Sequence, residues 1–173
     1  IGILGDLVFV AHGNRIGLWS GPVLTDEFLR HPEVGTTPGP LAFSEDGELL
    51  ATSGGDGEIQ VRAAPGWPIL HRSESLPGTI TAMEWHPAGR LAIGLNGEGL
   101  RVRCTHGWYD IAEETWQLPG TAPHATGVSW SPDGERLAVI DFTGTAFIYQ
   151  FTDDELALGY QAGMIPDAML GGA

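Results

Sequence analysis

Apolar and polar positions along this chain fall into short, strand-sized runs, and the runs recur in a fixed order. Leu49-Leu50-Ala51-Thr52-Ser53 has the length and composition of a buried strand. Glu58-Ile59-Gln60-Val61-Arg62 alternates with the period of two that a half-buried strand requires. Gly54-Gly55-Asp56-Gly57 between them supplies the residues of a tight hairpin. Pro40-Leu41-Ala42-Phe43 precedes the pair, across the turn Ser44-Glu45-Asp46-Gly47. Ile69-Leu70-His71-Arg72-Ser73 follows it as an outer strand. The stretch predicts four antiparallel strands in about 40 residues.

The design repeats. Equivalent turns end at Gly47, Gly89 and Gly134, 42 and 45 residues apart, and Gly5 lies 42 residues before Gly47. At a shift of 87 the fourth unit aligns with the second without a gap. Leu137-Ala138-Val139-Ile140 falls on Leu50-Ala51-Thr52-Ser53, and Phe147-Ile148-Tyr149 falls on Gln60-Val61-Arg62. The third unit holds Met83-Glu84-Trp85, Leu91-Ala92-Ile93-Gly94 and Leu100-Arg101-Val102-Arg103. The first holds Leu7-Val8-Phe9-Val10-Ala11 and Ile16-Gly17-Leu18-Trp19; with Gly5 as its turn glycine it has no room for a leading strand. The units run over residues 1–37, 38–79, 80–124 and 125–173. Phe43, Trp85 and Trp130 take one position in them and are expected between sheets.

A period in the 40s made of strands predicts an all-β array, with sheets stacked around an axis as a β-propeller. Four blades are few for a ring. Further residues or another chain are expected to complete it, and a start at Ile1 rather than methionine fits a piece of something longer.

Trp130-Ser131-Pro132-Asp133-Gly134 and the run Leu50 to Arg62 resemble the WD-repeat β-propeller family, over nearly the whole chain. The Trp-Asp pair of that family is absent: the units end in Trp19-Ser20, Arg62-Ala63, Arg103-Cys104 and Tyr149-Gln150. No Gly-His pair opens a unit, so the family's buried Asp-His-Ser-Trp network is incomplete in every blade. Asp56 matches the family's turn aspartate; Asn14, Asn96 and Thr143 stand in its place elsewhere. The Trp-Ser-Pro-Asp-Gly turn is also similar to propellers of the TolB and prolyl-oligopeptidase type, the second choice. The resemblance implies a non-enzymatic platform, scaffold or sensor for protein partners. The alternative is a propeller attached to a hydrolase, kinase or protease as a gating or sensing ring.

Charge narrows the partner. There are 22 acidic residues against eight basic ones, all arginine, for a formal charge of −14. That balance disfavours nucleic acid and anionic membrane surfaces, which need a basic face. A protein or peptide partner with a basic segment is expected. The absence of lysine excludes a Walker loop and Schiff-base chemistry, and fits a GC-rich bacterial genome. No Gly-x-Ser-x-Gly elbow occurs, and the six histidines lack ligand spacing. The single Cys104 forms no internal disulfide and is read as a structural thiol. No catalytic residue, cofactor or metal is expected. No apolar run reaches the roughly 20 residues of a spanning helix, and a cytoplasmic location is expected.

Candidate contacts gather at one turn. Asn14, Arg15, Asp56, Glu58, Asn96, Glu98 and Thr143 sit at or beside the turn between second and third strands. Repetition places such turns on one rim, where loops on a rigid scaffold carry binding. Pro65-Gly66-Trp67 and His106-Gly107-Trp108-Tyr109 recur 41 residues apart. These tryptophans, with Trp19 and Trp116, are read as packing between or over strands rather than as a partner patch.

Overall fold

In the computed structural model the repeat appears as hairpins in a shared register. Sixteen strands are present among the described residues, which are 2–4, 6–12, 15–20, 22–29, 39–54, 57–104, 114–116, 124–152 and 155–162. Sheet 1 holds β1 (Gly2–Leu4), β2 (Leu7–His12), β3 (Arg15–Ser20) and β4 (Val23–Leu29). Sheet 2 holds β5 (Leu41–Phe43), β6 (Leu49–Ser53), β7 (Ile59–Ala63) and β8 (Ile69–Arg72). Sheet 3 holds β9 (Thr79–Trp85), β10 (Arg90–Asn96), β11 (Gly99–Cys104) and β12 (Glu114–Trp116). Sheet 4 holds β13 (Ala125–Trp130), β14 (Arg136–Asp141), β15 (Ala146–Thr152) and β16 (Glu155–Ala162). Each sheet is an antiparallel meander, and no helix occurs among the described residues.

The 87-residue shift holds atom by atom. Phe43 pairs with Leu50 as Trp130 pairs with Leu137. Leu50 pairs with Arg62 as Leu137 pairs with Tyr149. The Asp46 carboxylate accepts from the Ser44 hydroxyl and the Glu48 N–H, and Asp133 accepts from Ser131 and Glu135 in the same way. Even the bulge against the outer strand recurs, after Val61 and after Ile148. The third unit replaces this serine with His86, whose Nδ1 accepts the Ala88 N–H at 2.8 Å.

One expectation is corrected. The first unit does have a leading strand: β1 pairs with β2 through Gly2–Phe9, Ile3–Val8 and Leu4–Leu7. Only Gly5 and Asp6 separate these strands, where five residues separate β5 from β6. The shorter connection leaves room for a strand before Gly5, so Gly5 is not the counterpart of Gly47.

The core lies between sheets. Phe9, Ile16 and Leu18 of sheet 1 meet Leu50 and Trp67 of sheet 2. Ala51 and Val61, on the opposite face of sheet 2, meet Trp85, Leu91 and Ile93 of sheet 3. Ala92, Leu100 and Val102 of sheet 3 meet Trp130, Leu137, Val139 and Phe147 of sheet 4. Trp85 and Trp130 are buried, and Phe43 is half-buried against Phe9 and Trp67 at ring distances of 4.5 and 5.8 Å. Trp67 is thus a packing residue held at φ 56°. Trp108 lies outside the described residues.

Polar bonds stitch sheet 3 to its neighbours. The Trp85 indole N–H donates to the Ala42 carbonyl at 2.9 Å. Glu84 accepts from the Trp130 N–H at 2.9 Å, and the Thr81 hydroxyl donates to the Ala125 carbonyl. His86 Nε2 faces the Gly134 carbonyl at 3.0 Å, with its ring edge-on to Trp130.

Two predictions follow from this packing. Gly134 has φ +73°, and a Cβ there would lie 2.4 Å from His86 Nε2. Gly66 has φ +77° with open space around it. Both alanine variants bear the left-handed cost of about 1–2 kcal/mol. Gly134→Ala also displaces His86, so urea titration is expected to show the larger loss at Gly134; equal losses contradict the contact. Burial holds the His86 imidazole below its ordinary value of 6.5; the Gly134 carbonyl opposes this and Arg90 adds to it. A histidine lowered on folding adds stability above its unfolded pKa and loses it as pH falls through the folded value. Stability is expected to decline below pH 6.5 through this group. His86→Ser, the residue of the second and fourth units, is expected to remove that component of the slope in pH-dependent thermal melts.

Candidate functional site

Backbone contacts join the turns between second and third strands of sheets 2, 3 and 4. The Leu76 N–H donates to the Gly57 carbonyl at 3.0 Å, so the connection after sheet 2 crosses its own turn. Gly78 then abuts sheet 3: a Cβ there would sit 2.4 Å from the Asn96 carbonyl oxygen. Asn96 forms a β-bridge with His124, and the Phe142 N–H donates to the His124 carbonyl at 3.2 Å. The rim is therefore continuous from Gly57 to Phe142.

Within this rim the candidates have different surroundings. Arg15, Asn96 and Thr143 are exposed, and Glu98 is half-buried. Glu58 is tied into its own sheet, where Oε1 accepts from Arg72 at 2.8 Å and from Gln60 at 2.9 Å. Gln60 in turn accepts from the buried Arg62, whose guanidinium also donates to the Trp67 carbonyl at 2.9 Å. Glu58 thus begins a polar ladder along the face of β7 turned toward sheet 1. Burial, then the Arg72 charge, lowers the Arg62 pKa from its ordinary value. Asn14 and Asp56 lie outside the described residues.

Two rim residues escaped the sequence reading. Asp141 organises the fourth turn: its Oδ1 accepts the N–H groups of Thr143 and Thr145 and the Thr143 hydroxyl, at 2.6 to 2.9 Å. Burial alone raises this carboxyl, but the bonds from Thr143 and Thr145 outweigh it and hold the pKa below the usual value. The spacing Asp141-x-Thr143 was the available sign of an Asx turn. Phe142 is the second. It is 58% exposed at the turn, edge-on to His124 at 5.2 Å. Its signal was an aromatic at the position where the second unit has Gly55.

Chemically the rim can present hydrogen-bonding groups, carboxylates and one aromatic ring. Among the described residues no group of three or more His, Cys, Asp or Glu side chains is placed to hold a metal ion.

The family described as WD domain, G-beta repeat, matches residues 41–61, from the start of β5 into β7. A chain in the crystal structure of a mitotic checkpoint complex superposes with a TM-score of 0.76 over 90% of this chain, at 16% identity. This is a WD-repeat β-propeller fold. The matched region is 46% of that solved chain. The p21-activated protein kinase-interacting protein 1-like protein of Danio rerio is 29% identical over 91 residues, 53% of this chain. The chain spans about a quarter of that relative, 24% of its length. WD-repeat propellers serve in general as scaffolds for protein interaction, typically without catalysis.

Asp141→Ala is expected to loosen the fourth turn without unfolding the sheet. Amide hydrogen exchange should quicken at Thr143 and Thr145 and remain slow at Val139 in the strand. Unchanged exchange at both threonines contradicts the capping role.

Proposed function

We propose that this chain is a non-enzymatic protein-binding platform whose contacts are made by the rim of second-to-third-strand turns. The observation that carries the reading is the exposed Phe142 ring within a backbone-continuous rim. Interface hot spots favour aromatic anchors surrounded by polar groups. Here the polar groups are Asn96, Glu98 and Thr143, with Arg15 on sheet 1 and Asn14 and Asp56 at equivalent positions in the sequence. Backbone bonds tie the turns of sheets 2 to 4 together, which lowers the ordering cost of binding. The net charge of −14 supports a basic partner segment. A protein kinase-interacting protein among the relatives supports a protein partner.

The test is quantitative affinity capture with the wild-type chain and with the double variant Phe142→Ser/Glu98→Arg. Partner recovery is expected to fall at least about tenfold in the variant, the equivalent of roughly 1.4 kcal/mol. It is also expected to weaken as ionic strength rises. Thermal melts of the two proteins separate loss of the contact from loss of the fold. Equal recovery from the variant sinks this rim as the binding face.

A further inference from the structure

An antiparallel meander reverses at every turn, so the turn between first and second strands stands at the other end of its sheet from the turn between second and third. Two such first turns, in sheets 2 and 3, border a cavity of about 650 Å³ whose lining includes Ser44, Glu45, Asp46, Leu49, Trp85 and Gly89. We propose that this cavity receives an arginine side chain from a basic segment of a partner protein.

The neighbouring joint shows what fits such a place. The three turns share one bonding pattern: the N–H groups of Gly47, Gly89 and Gly134 donate to the carbonyls of Ser44, His86 and Ser131. Ser44 and His86 are therefore equivalent, as are Gly89 and Gly134, and Trp85 and Trp130. Between sheets 3 and 4 the His86 imidazole fills the joint. Its Nε2 lies 3.0 Å from the Gly134 carbonyl, its ring stands edge-on to Trp130 at 4.6 Å, and it is only 7% exposed. Between sheets 2 and 3 the same elements are Ser44, Gly89 and Trp85. Serine is too short to cross. Its hydroxyl is used within its own turn, donating to Asp46 at 2.6 Å and accepting the Leu49 N–H at 2.9 Å. Sheet 2 sends no ring across from this position, and the cavity is what remains.

The wall changes together with the ring. The third unit continues from His86 with Pro87-Ala88, whereas the second continues from Ser44 with Glu45-Asp46. Loss of a planar nitrogen group and gain of two carboxylates thus coincide on one turn. Glu45 and Asp46 are exposed, and the two turn bonds to Asp46 both end on Oδ1, leaving Oδ2 outside them. A guanidinium answers both changes: it is planar, it forks onto carboxylates, and it packs against an indole. Lysine lacks the planar fork, and a neutral side chain lacks the charge. The volume falls in the range of about 300–1,000 Å³ usual for ligand pockets. Arg90, which follows the third-unit turn, is directed to sheet 4, with its guanidinium 4.8 Å from the centre of the Phe151 ring. The net charge of −14 favours approach of a basic segment. This site is separate from the rim that carries Phe142 and does not depend on it.

The test titrates the 173-residue chain with a blocked glycine–arginine–glycine peptide and follows the Trp85 indole N–H and Ala88 methyl resonances. Both are expected to shift. The citrulline peptide, of the same shape but uncharged, should bind at least about tenfold more weakly, and the lysine peptide should also be weaker. Ser44→His builds the ring of the third unit into the second and is expected to abolish binding; His86 shows that this turn position accepts histidine. Glu45→Gln leaves the turn bonds of Asp46 in place and should weaken binding about threefold, as for an exposed ion pair. Phe142→Ser/Glu98→Arg should bind the peptide as the wild type does, which separates this site from the rim. Equal binding of the arginine and citrulline peptides overturns the proposal, as does unchanged binding in Ser44→His, an absence of shifts at millimolar peptide, or shifts confined to other residues. Binding that appears only in Trp108→Ala also overturns it, by making a segment of this chain the occupant.

Discussion

Sheets 2 and 3 bury apolar residues on both faces, and that constraint organises the molecule. Sheet 2 buries Leu50 against sheet 1 and Val61 against sheet 3. Sheet 3 buries Leu91 on one side and Leu100 on the other. No single sheet can hide both faces, so stability is shared between neighbours, as in other repeat architectures. Outer strands are less deeply placed: Val23, Leu24 and Leu70 remain exposed on β4 and β8.

Polar groups then set how the apolar faces meet. Oil-like packing alone leaves the stagger of one sheet on the next loosely specified; a buried hydrogen bond does not, since leaving it unmade costs about 1–3 kcal/mol. The Trp85–Ala42, Glu84–Trp130 and Thr81–Ala125 bonds fix sheet 3 between its neighbours. Glu84 bears a cost in that role. Burial raises its carboxyl above the usual range, against the opposing bonds from Trp130 and Ser129. Between sheets 1 and 2 the ladder through Gln60 and Arg62 does related work beside the ring cluster of Phe9, Phe43 and Trp67. Tyr149 is the contrasting case: its buried hydroxyl has no partner among the described residues, and its pKa is pushed up to about 12 by burial.

The rim inherits its order from the same packing. Leu76 bonds the turn of sheet 2, and His124 links Asn96 of sheet 3 to Phe142 of sheet 4 through backbone bonds. The exposed Phe142 ring therefore sits among turns tied by backbone bonds.

Sequence alone determined the units. Strands are local objects, and their period of two, the Asp-Gly turns and the recurring glycines are written in adjacent residues; hence the 87-residue shift survives down to single hydrogen bonds. It also placed Trp85 and Trp130 between sheets. It misplaced the start of the first unit, because a two-residue connection and a five-residue one present the same kind of turn glycine. Tertiary structure decided the rest. That Glu58 is held by Arg72 and that Phe142 stands beside His124 depend on contacts between residues distant in the chain. Such contacts follow from register and stacking, which no linear pattern specifies until the sheets are assembled.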